Sequence, residues 1–295
     1  MMGAMSEPII DPPPFVLTRP DRSGPLVFSS PHSGRHYPQS LMQASRLDSL
    51  SIRLSEDAYV DELIGSAPGQ GIGLICATYG RAYVDLNRAA NELDPGMFDE
   101  AFAPVQGAGA ARIAAGLGTI AKIVAEGREI YDRKLSLAEA AGRISQVHQP
   151  YHQALSGLLD QALDQHGHAL LIDWHSMPSA SIAKAGCDFV LGDRYGSACS
   201  PVLTRLVDQT LTGMGFAVAR NVPYAGGYTT EHYGRPMDGV HALQIEINRA
   251  LYLDETQILP GPGFLPLQRA LARLIQVMGQ TDWALVLGQG RRALA

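Results

Sequence analysis

Ala169-Leu170-Leu171-Ile172-Asp173-Trp174-His175-Ser176 is the stretch on which the fold turns. Four apolar residues in succession, without polar alternation, describe a strand covered on both faces, as in a parallel sheet sandwiched by helices. Asp173 and His175 then fall towards the carboxyl end of that strand, the edge at which open α/β sheets bind ligands. Working outward, Leu26-Val27-Phe28 is a second buried run, and it leads into the loop Ser29-Ser30-Pro31-His32-Ser33-Gly34. Ile72 to Ala77, Ala82 to Leu86, Phe189 to Leu191, Phe216 to Ala219 and Leu243 to Ile247 read as further strands. Helical spacing covers about 50–66 (Leu54, Tyr59, Val60, Leu63) and an alanine-rich zone at roughly 107–166, broken near Gly127 and Pro150. Two more helices are predicted at 197–214 and about 265–280. The alternation of strands and helices predicts an α/β fold, a mostly parallel mixed sheet with helices on both faces. Residues 1–22, with Pro8, Pro12, Pro13 and Pro14, are expected as an extended arm, and 23–295 as a single α/β domain.

Composition narrows the function. The 295 residues carry 46% hydrophobic and 18% charged residues, below the usual charged share of roughly 25%, so the chain has a core to bury. Net charge is -6 and no Lys/Arg run is present, which argues against nucleic acid as a partner. No run of eighteen apolar residues occurs, so no membrane span is expected. Cys76, Cys187 and Cys199 have no metal-type spacing, and an odd count points to reduced thiols and a cytoplasmic location. The first residues, MMGAMSEPIIDPPP, lack the basic and apolar regions of a secretory signal.

Polar groups collect at the strand ends. His32 follows the first buried strand, His175 follows the 169–173 run, Arg88 follows the 82–86 run, and Glu246 lies inside the apolar Leu243–Ile247 strand. A carboxylate in such a strand is costly unless it is paired or bound to a cation. Two histidines with a carboxylate would form a three-ligand divalent-metal site, zinc above all, with one position left open. Such an ion makes water more acidic and polarises a carbonyl oxygen, and a further carboxylate could then move the water proton to a leaving nitrogen. HExxH, GxSxG, GxGxxG and the P-loop are all absent, which leaves zincin, nucleophile-elbow, dinucleotide and NTP readings without local support. Taken singly, His32 also fits a hydrogen-bonded loop histidine, Asp173 a cap and Arg88 a surface arginine.

Five segments occur in a telling order: Ser30-Pro31-His32-Ser33-Gly34, Val84-Asp85-Leu86-Asn87-Arg88, Ile172-Asp173-Trp174-His175-Ser176, Gly226-Gly227-Tyr228-Thr229-Thr230-Glu231-His232-Tyr233-Gly234-Arg235-Pro236 and Gln244-Ile245-Glu246-Ile247. Together they resemble the N-formylglutamate amidohydrolase family over about residues 25–255. The resemblance implies a zinc carboxypeptidase-like fold and hydrolysis of N-formyl-L-glutamate to formate and glutamate, a step of histidine degradation. Through the wider aspartoacylase and succinylglutamate desuccinylase relatives it implies His32 and His175 as metal ligands. It further implies Asn87 and Arg88 as the grip on a substrate carboxylate, Arg81 as the group that polarises the scissile carbonyl, and Glu246 as general base. Those relatives carry an acidic ligand three residues after the first histidine, but here Arg35 stands there and cannot bind a cation. The resemblance moves the acidic ligand to Asp57, with Glu56 as its alternative. Asp57 would otherwise be an acidic group at the positive end of a helix.

The Gly226-Gly227 pair fits a loop whose backbone approaches a small ligand, with Tyr228, Thr229 and His232 as donors; an ordinary tight turn is the other reading. His148 and His152 stand at i, i+4 on a predicted helix and are expected on a solvated face. Arg235 and Arg143 are further candidates for a substrate carboxylate. The expected partner is a small N-acyl amino acid. The alternatives are a deacylase or carboxypeptidase-like enzyme with another substrate, and a catalytically silent binding protein.

Overall fold

The structure is a computed structural model that describes residues 12–183 and 186–292. Seven strands form one sheet: β1 (Phe15–Thr18), β2 (Leu26–Ser30), β3 (Gly73–Ala77), β4 (Ala169–Met177), β5 (Phe189–Gly192), β6 (Val218–Arg220) and β7 (Val240–Asn248). Their order is β1-β3-β2-β4-β7-β5-β6. The pairs β3–β2, β2–β4, β4–β7 and β5–β6 are parallel, whereas β1–β3 and β5–β7 are antiparallel. The sheet is therefore mixed and mostly parallel. Helices are α1 (Gln39–Gln43), α2 (Val60–Leu63), α3 (Ala108–Ala114), α4 (Leu137–Arg143), α5 (Gln149–His166), α6 (Pro201–Gly213), α7 (Tyr228–Tyr233), α8 (Phe264–Gln280) and α9 (Trp283–Arg292). No helix among the described residues is long and apolar enough to cross a membrane.

The strand period of two divides the core. Leu26, Phe28, Leu170, Ile172, Trp174, Leu243 and Ile245 face α2, α6 and α8. Val27, Ile75, Ala169, Leu171 and Ala242 pack instead with Tyr151, Leu155 and Leu159 of α5. On this second face the central strands change character towards their carboxyl ends. Val27 gives way to Ser29, Leu171 to Asp173 and His175, and Ala242 to Gln244 and Glu246. Register brings Ser29 beside Asp173 and His175 beside Glu246. The fold thus hands one face of one sheet edge to charged and amide groups, while the opposite face stays apolar until Ser30 and Ser176.

Several local expectations need correction. Phe15–Thr18, inside the expected arm, is an edge strand on β3; residues 1–11 of that arm lie outside the described residues. Ala82–Leu86 is not a strand, although Ala82, Val84 and Leu86 are buried. Its backbone groups go elsewhere: the Asp85 N–H donates to Thr119 O, and Leu86 O accepts from His152. The 50–66 region is a 3-10 turn (Ser51–Ser55) followed by the short α2, with Glu56 extended between them. Leaving the helix there lets the Asp57 N–H donate to His32 O at 2.9 Å. The 107–166 zone is helical only at its ends, and 115–136 is mostly irregular, with Gly116 and Gly127 at positive φ of 77° and 72°. Pro150 does not break the chain's helix. A π turn at Ile144–His148 joins α4 to α5, and Pro150 sits in the first turn of α5, where its missing N–H is tolerated.

Candidate metal centre and active-site cavity

His32, just beyond β2, Asp57, on the extended link, and His175, near the end of β4, meet in the interior. One donor atom from each lies within 4.8 Å of the others. Both imidazoles present Nδ1 to the same carboxylate oxygen, Asp57 Oδ2, at 3.4 Å from His32 and 2.8 Å from His175. Their outer nitrogens are held by two other carboxylates. His32 Nε2 lies 2.7 Å from Asp85 Oδ1, and His175 Nε2 lies 2.9 Å from Asp173 Oδ2. A carboxylate behind each imidazole orients the ring and turns Nδ1 inward, as around metal-ligating histidines, and at His175 the Asn87 amide nitrogen shares Nε2 with Asp173 at 3.1 Å. Asp173 is itself held by the Ser29 hydroxyl at 2.5 Å. Asp85 accepts from Arg81 Nε at 2.8 Å and from the Asn87 backbone N–H at 2.9 Å.

Asp57 is anchored through its other oxygen. Arg249 Nη2 donates to Asp57 Oδ1 at 3.1 Å and the Ser176 hydroxyl donates at 3.3 Å, which leaves Oδ2 for the imidazoles. Glu56, the alternative acidic residue, turns away and accepts from Arg53 and the Tyr37 hydroxyl. Arg35 is tied to Asp61 and Glu62. A divalent cation fits this place on structural grounds. His32 Nδ1 is a buried polar atom with no hydrogen-bond partner, and a two-imidazole, one-carboxylate donor set suits zinc and its neighbours. Electrostatics agree. Burial alone would lower the His175 pKa, yet Asp173 and Asp57 raise it well above the ordinary imidazole range. Against the penalty of burial, His175 and His32 hold Asp57 well below the usual carboxylate range. The pocket favours positive charge.

Glu246, next to His175 in register, is buried and takes one hydrogen bond, from Gln244 Nε2 at 2.8 Å. Burial, aided by the nearby Asp57 charge, pushes its pKa up to about 7 against the pull of His175, Arg249 and Arg81. Gln244 also accepts from the Gly227 N–H at 2.7 Å, so one amide spans the glycine loop and Glu246.

The metal-competent group and Glu246 line one cavity of about 660 Å³. Asn87, Arg88, Arg81, Gly227, Gln244, Glu246 and Arg249 share it with His32, Asp57 and His175. The Asn87 amide oxygen accepts from the backbone N–H and hydroxyl of Thr229, at 2.8 and 3.0 Å. A Cβ on Gly227 would come within 2.4 Å of the Asn87 amide, so the glycine makes room for that side chain as well as for a ligand. Arg88 donates through Nε to Leu117 O at 2.8 Å and through Nη1 to Asn87 O at 2.6 Å, and it lines the cavity. Tyr228 and His232 stack on each other and line a separate surface recess rather than the cavity. Thr229 lies behind Asn87. Arg143 is buried between Tyr83 and Tyr131, and Arg235 is exposed beside Asp238; neither lines the cavity.

Sequence reading missed the supporting groups: Asp85 and Asp173 behind the histidines, and Arg249 and Ser176 behind Asp57. The aspartates stood inside the quoted segments, two or three residues from a named site residue, and that spacing was the available signal. Arg249 carried none. The expectation of a solvated face for His148 and His152 is also corrected. His148 is buried and donates through Nε2 to Arg88 O at 2.8 Å. His152 donates through Nε2 to Leu86 O at 2.9 Å and accepts at Nδ1 from the Tyr233 hydroxyl at 2.9 Å. Together they hold the turn that carries Asn87 and Arg88.

Fold and site define the class: an α/β protein with a metal-competent His–Asp–His group, backed by carboxylates, beyond the carboxyl ends of its central strands. Comparison narrows this further. The N-formylglutamate amidohydrolase family profile matches residues 24–253, and the chain belongs to that family. It is 29% identical to the N-formylglutamate deformylase of Pseudomonas putida over 263 residues, covering 86% of this chain and 92% of that one. Against the Pseudomonas aeruginosa N-formylglutamate deformylase it is 28% identical over 238 residues, 78% of this chain and 83% of the relative. The crystal structure of N-formylglutamate amidohydrolase from Ralstonia eutropha JMP134 superposes with a TM-score of 0.83 at 36% identity, covering 90% of this chain and 97% of that one.

Proposed function

We propose that this protein is a metal-dependent amidohydrolase acting on an N-acylated dicarboxylic amino acid, with N-formyl-L-glutamate as the reference substrate. The observation that carries the reading is the placement of Glu246 beside the His32–Asp57–His175 group on the floor of the cavity. His32, Asp57 and His175 would hold the ion, with zinc preferred. When bound, a divalent cation there supplies Lewis-acid polarisation of the scissile carbonyl and makes water a stronger acid.

The remaining work falls to the chain. Arg88, with Asn87 beside it, grips a carboxylate of the amino acid, and Arg81, braced by Asp85, faces the carbonyl oxygen as charge builds there. Glu246 takes a proton from the attacking water and returns it to the nitrogen. Water's oxygen ends on the acyl carbon, the C–N bond breaks, and the products are a carboxylate and a free amine. Burial holds this carboxyl above the usual carboxylate range, which favours a group that accepts a proton and then returns it. The test is formate release from N-formyl-L-glutamate together with elemental analysis of the same sample. About one divalent transition metal per chain and loss of activity to chelators are expected. Full activity in stripped protein would refute the reading.

A further inference from the structure

The cavity is larger than the reference substrate needs. N-formylglutamate has twelve non-hydrogen atoms; even at the roughly 30 Å³ that a water occupies in the liquid, they fill about 360 Å³. The cavity holds about 660 Å³. What lies in the remainder decides what it can take.

The two ends of the cavity differ. At one, Arg88 donates to Leu117 O, and the Leu117 N–H donates to Arg112 O. Arg88 and Arg112 both line this end; the Arg112 guanidinium is forked on Glu92, with its Nε 2.8 Å from that carboxylate, so Arg88 is the group that meets a carboxylate of the amino acid. At the other end, Arg249 holds Leu54 O and Asp57, and the Ser55 hydroxyl accepts from the Ala125 N–H at 3.2 Å. The metal-competent group joins the two: His32 is tied through Asp85 to Asn87, and Asp57 through Arg249 to Leu54. An amino acid held at Arg88, with its amide over this group, directs its acyl chain towards Leu54, Ala125 and Pro178.

That end is apolar. Leu54, Val124, Ala125 and Pro178 line it, and Leu54, Ala125 and Pro178 are only half-buried. Its cation, Arg249, is already engaged by Asp57, Ser176 and Leu54. Its other ionic lining group, Glu126, is an exposed carboxylate. An anionic acyl group would meet repulsion there, and a formyl group would leave the wall untouched. Each buried methylene of a longer chain favours binding about fourfold.

We infer that the acyl subsite takes an apolar chain longer than formyl, so that the substrate class is N-alkanoyl dicarboxylic amino acids. The inference rests on the amidohydrolase reading and specifies its acyl group. Atoms balance as before: water adds across the amide, giving a fatty carboxylate and the free amino acid.

The experiment measures glutamate release by the metal-loaded protein from N-formyl-, N-acetyl-, N-butanoyl-, N-hexanoyl- and N-succinyl-L-glutamate. The expected result is a kcat/KM for butanoyl or hexanoyl at least equal to that for formyl, with succinyl at least tenfold below butanoyl. Formyl exceeding both alkanoyl substrates tenfold would overturn the inference while leaving the amidohydrolase reading intact; no hydrolysis of any member would remove both. Ala125→Phe and Leu54→Trp fill the same wall from opposite sides. Each should lower the hexanoyl-to-formyl ratio of kcat/KM at least tenfold, and an unchanged ratio in both would also overturn it. Calorimetry with Glu246→Gln protein reads the contact without turnover, and N-hexanoyl-L-glutamate should bind more tightly than N-formyl-L-glutamate.

Discussion

The floor and the wall of the cavity are built by different means. The floor is the strand edge, where Asp173, His175, Gln244 and Glu246 are spaced by the sheet and Ser29 is added by register. The wall is the irregular chain from about 79 to 135, whose position depends on side chains bonding to backbone. His148 and His152 hold the carbonyls of Arg88 and Leu86, and the Thr119 hydroxyl holds Ala89 O. A ladder fixes atoms through many equivalent bonds, whereas the wall relies on a few specific ones. In the proposed function, the groups that act together on the scissile bond sit on the floor, and those that would choose among substrates sit on the wall. This division predicts large, all-or-none losses from floor substitutions and graded, substrate-dependent ones from the wall.

The largest effect should come from the ligand group. His175→Ala and Asp57→Ala should each remove most of the metal and with it activity, read by elemental analysis and turnover. Glu56→Ala should keep the metal, because Glu56 is bound to Arg53 and Tyr37. The opposite pattern for Asp57 and Glu56 would move the acidic ligand and break the geometry proposed for the floor.

Next comes Glu246→Gln, which keeps shape and removes the base. kcat should fall by roughly 10²–10⁴-fold with metal content unchanged. Loss of metal instead would make Glu246 a ligand. Asp173→Asn and Asp85→Asn sharpen the comparison from behind, since each weakens the support of one imidazole. Metal affinity should drop about 10–100-fold in a chelator competition. No change in either variant would mean that the carboxylates only fill space.

On the wall, Arg88→Lys keeps the charge and loses the planar fork. KM for N-acyl glutamates should rise several-fold, on the order of 1 kcal/mol, with less change in kcat. An equal loss in kcat would place Arg88 in the chemistry rather than in the grip.

The same contrast explains what was legible in the sequence. Apolar runs such as Leu170–Ile172 and Leu243–Ile247 can only be buried strands here, and a charged residue within them announces a site. Glu246 was therefore legible as a candidate from its strand, and His32 and His175 from collecting with it at one sheet edge, whereas their roles came from the resemblance. The wall was not legible. Val84 and Leu86 alternate as a strand would, but the backbone partners of Asp85 and Leu86 are a threonine carbonyl and a histidine ring from distant segments. Nothing local encodes those partners, so the run looked like β structure. Alanine-rich 107–136 looked helical because propensity is a local quantity, while the glycines at 116 and 127 take conformations that stop a helix. Asp57 needed the resemblance to be found, since its place depends on leaving a helix to meet His32.

The smallest effect tests whether the histidines behind the wall are held neutral. Burial, with the neighbouring His148, lowers His152 to a pKa of about 3, and His148 is lowered as well, again by burial. In the unfolded chain such a histidine titrates near 6.5. Between about pH 6.5 and 3 the unfolded state therefore binds a proton that the folded state refuses. Stability from this group is fully present above about 6.5 and is lost as pH falls towards 3, with a limiting slope of about 1.4 kcal/mol per pH unit. His152→Gln keeps a donor for Leu86 O and removes the titration. Urea midpoints at pH 7.5, 6 and 5 should fall less steeply for the variant than for the parent, while metal content at pH 7.5 stays the same. Parallel curves would mean that His152 is protonated in the folded protein. Leu86 O and the Tyr233 hydroxyl would then have to accommodate a second N–H, and the turn bearing Asn87 and Arg88 would be held by some other bond.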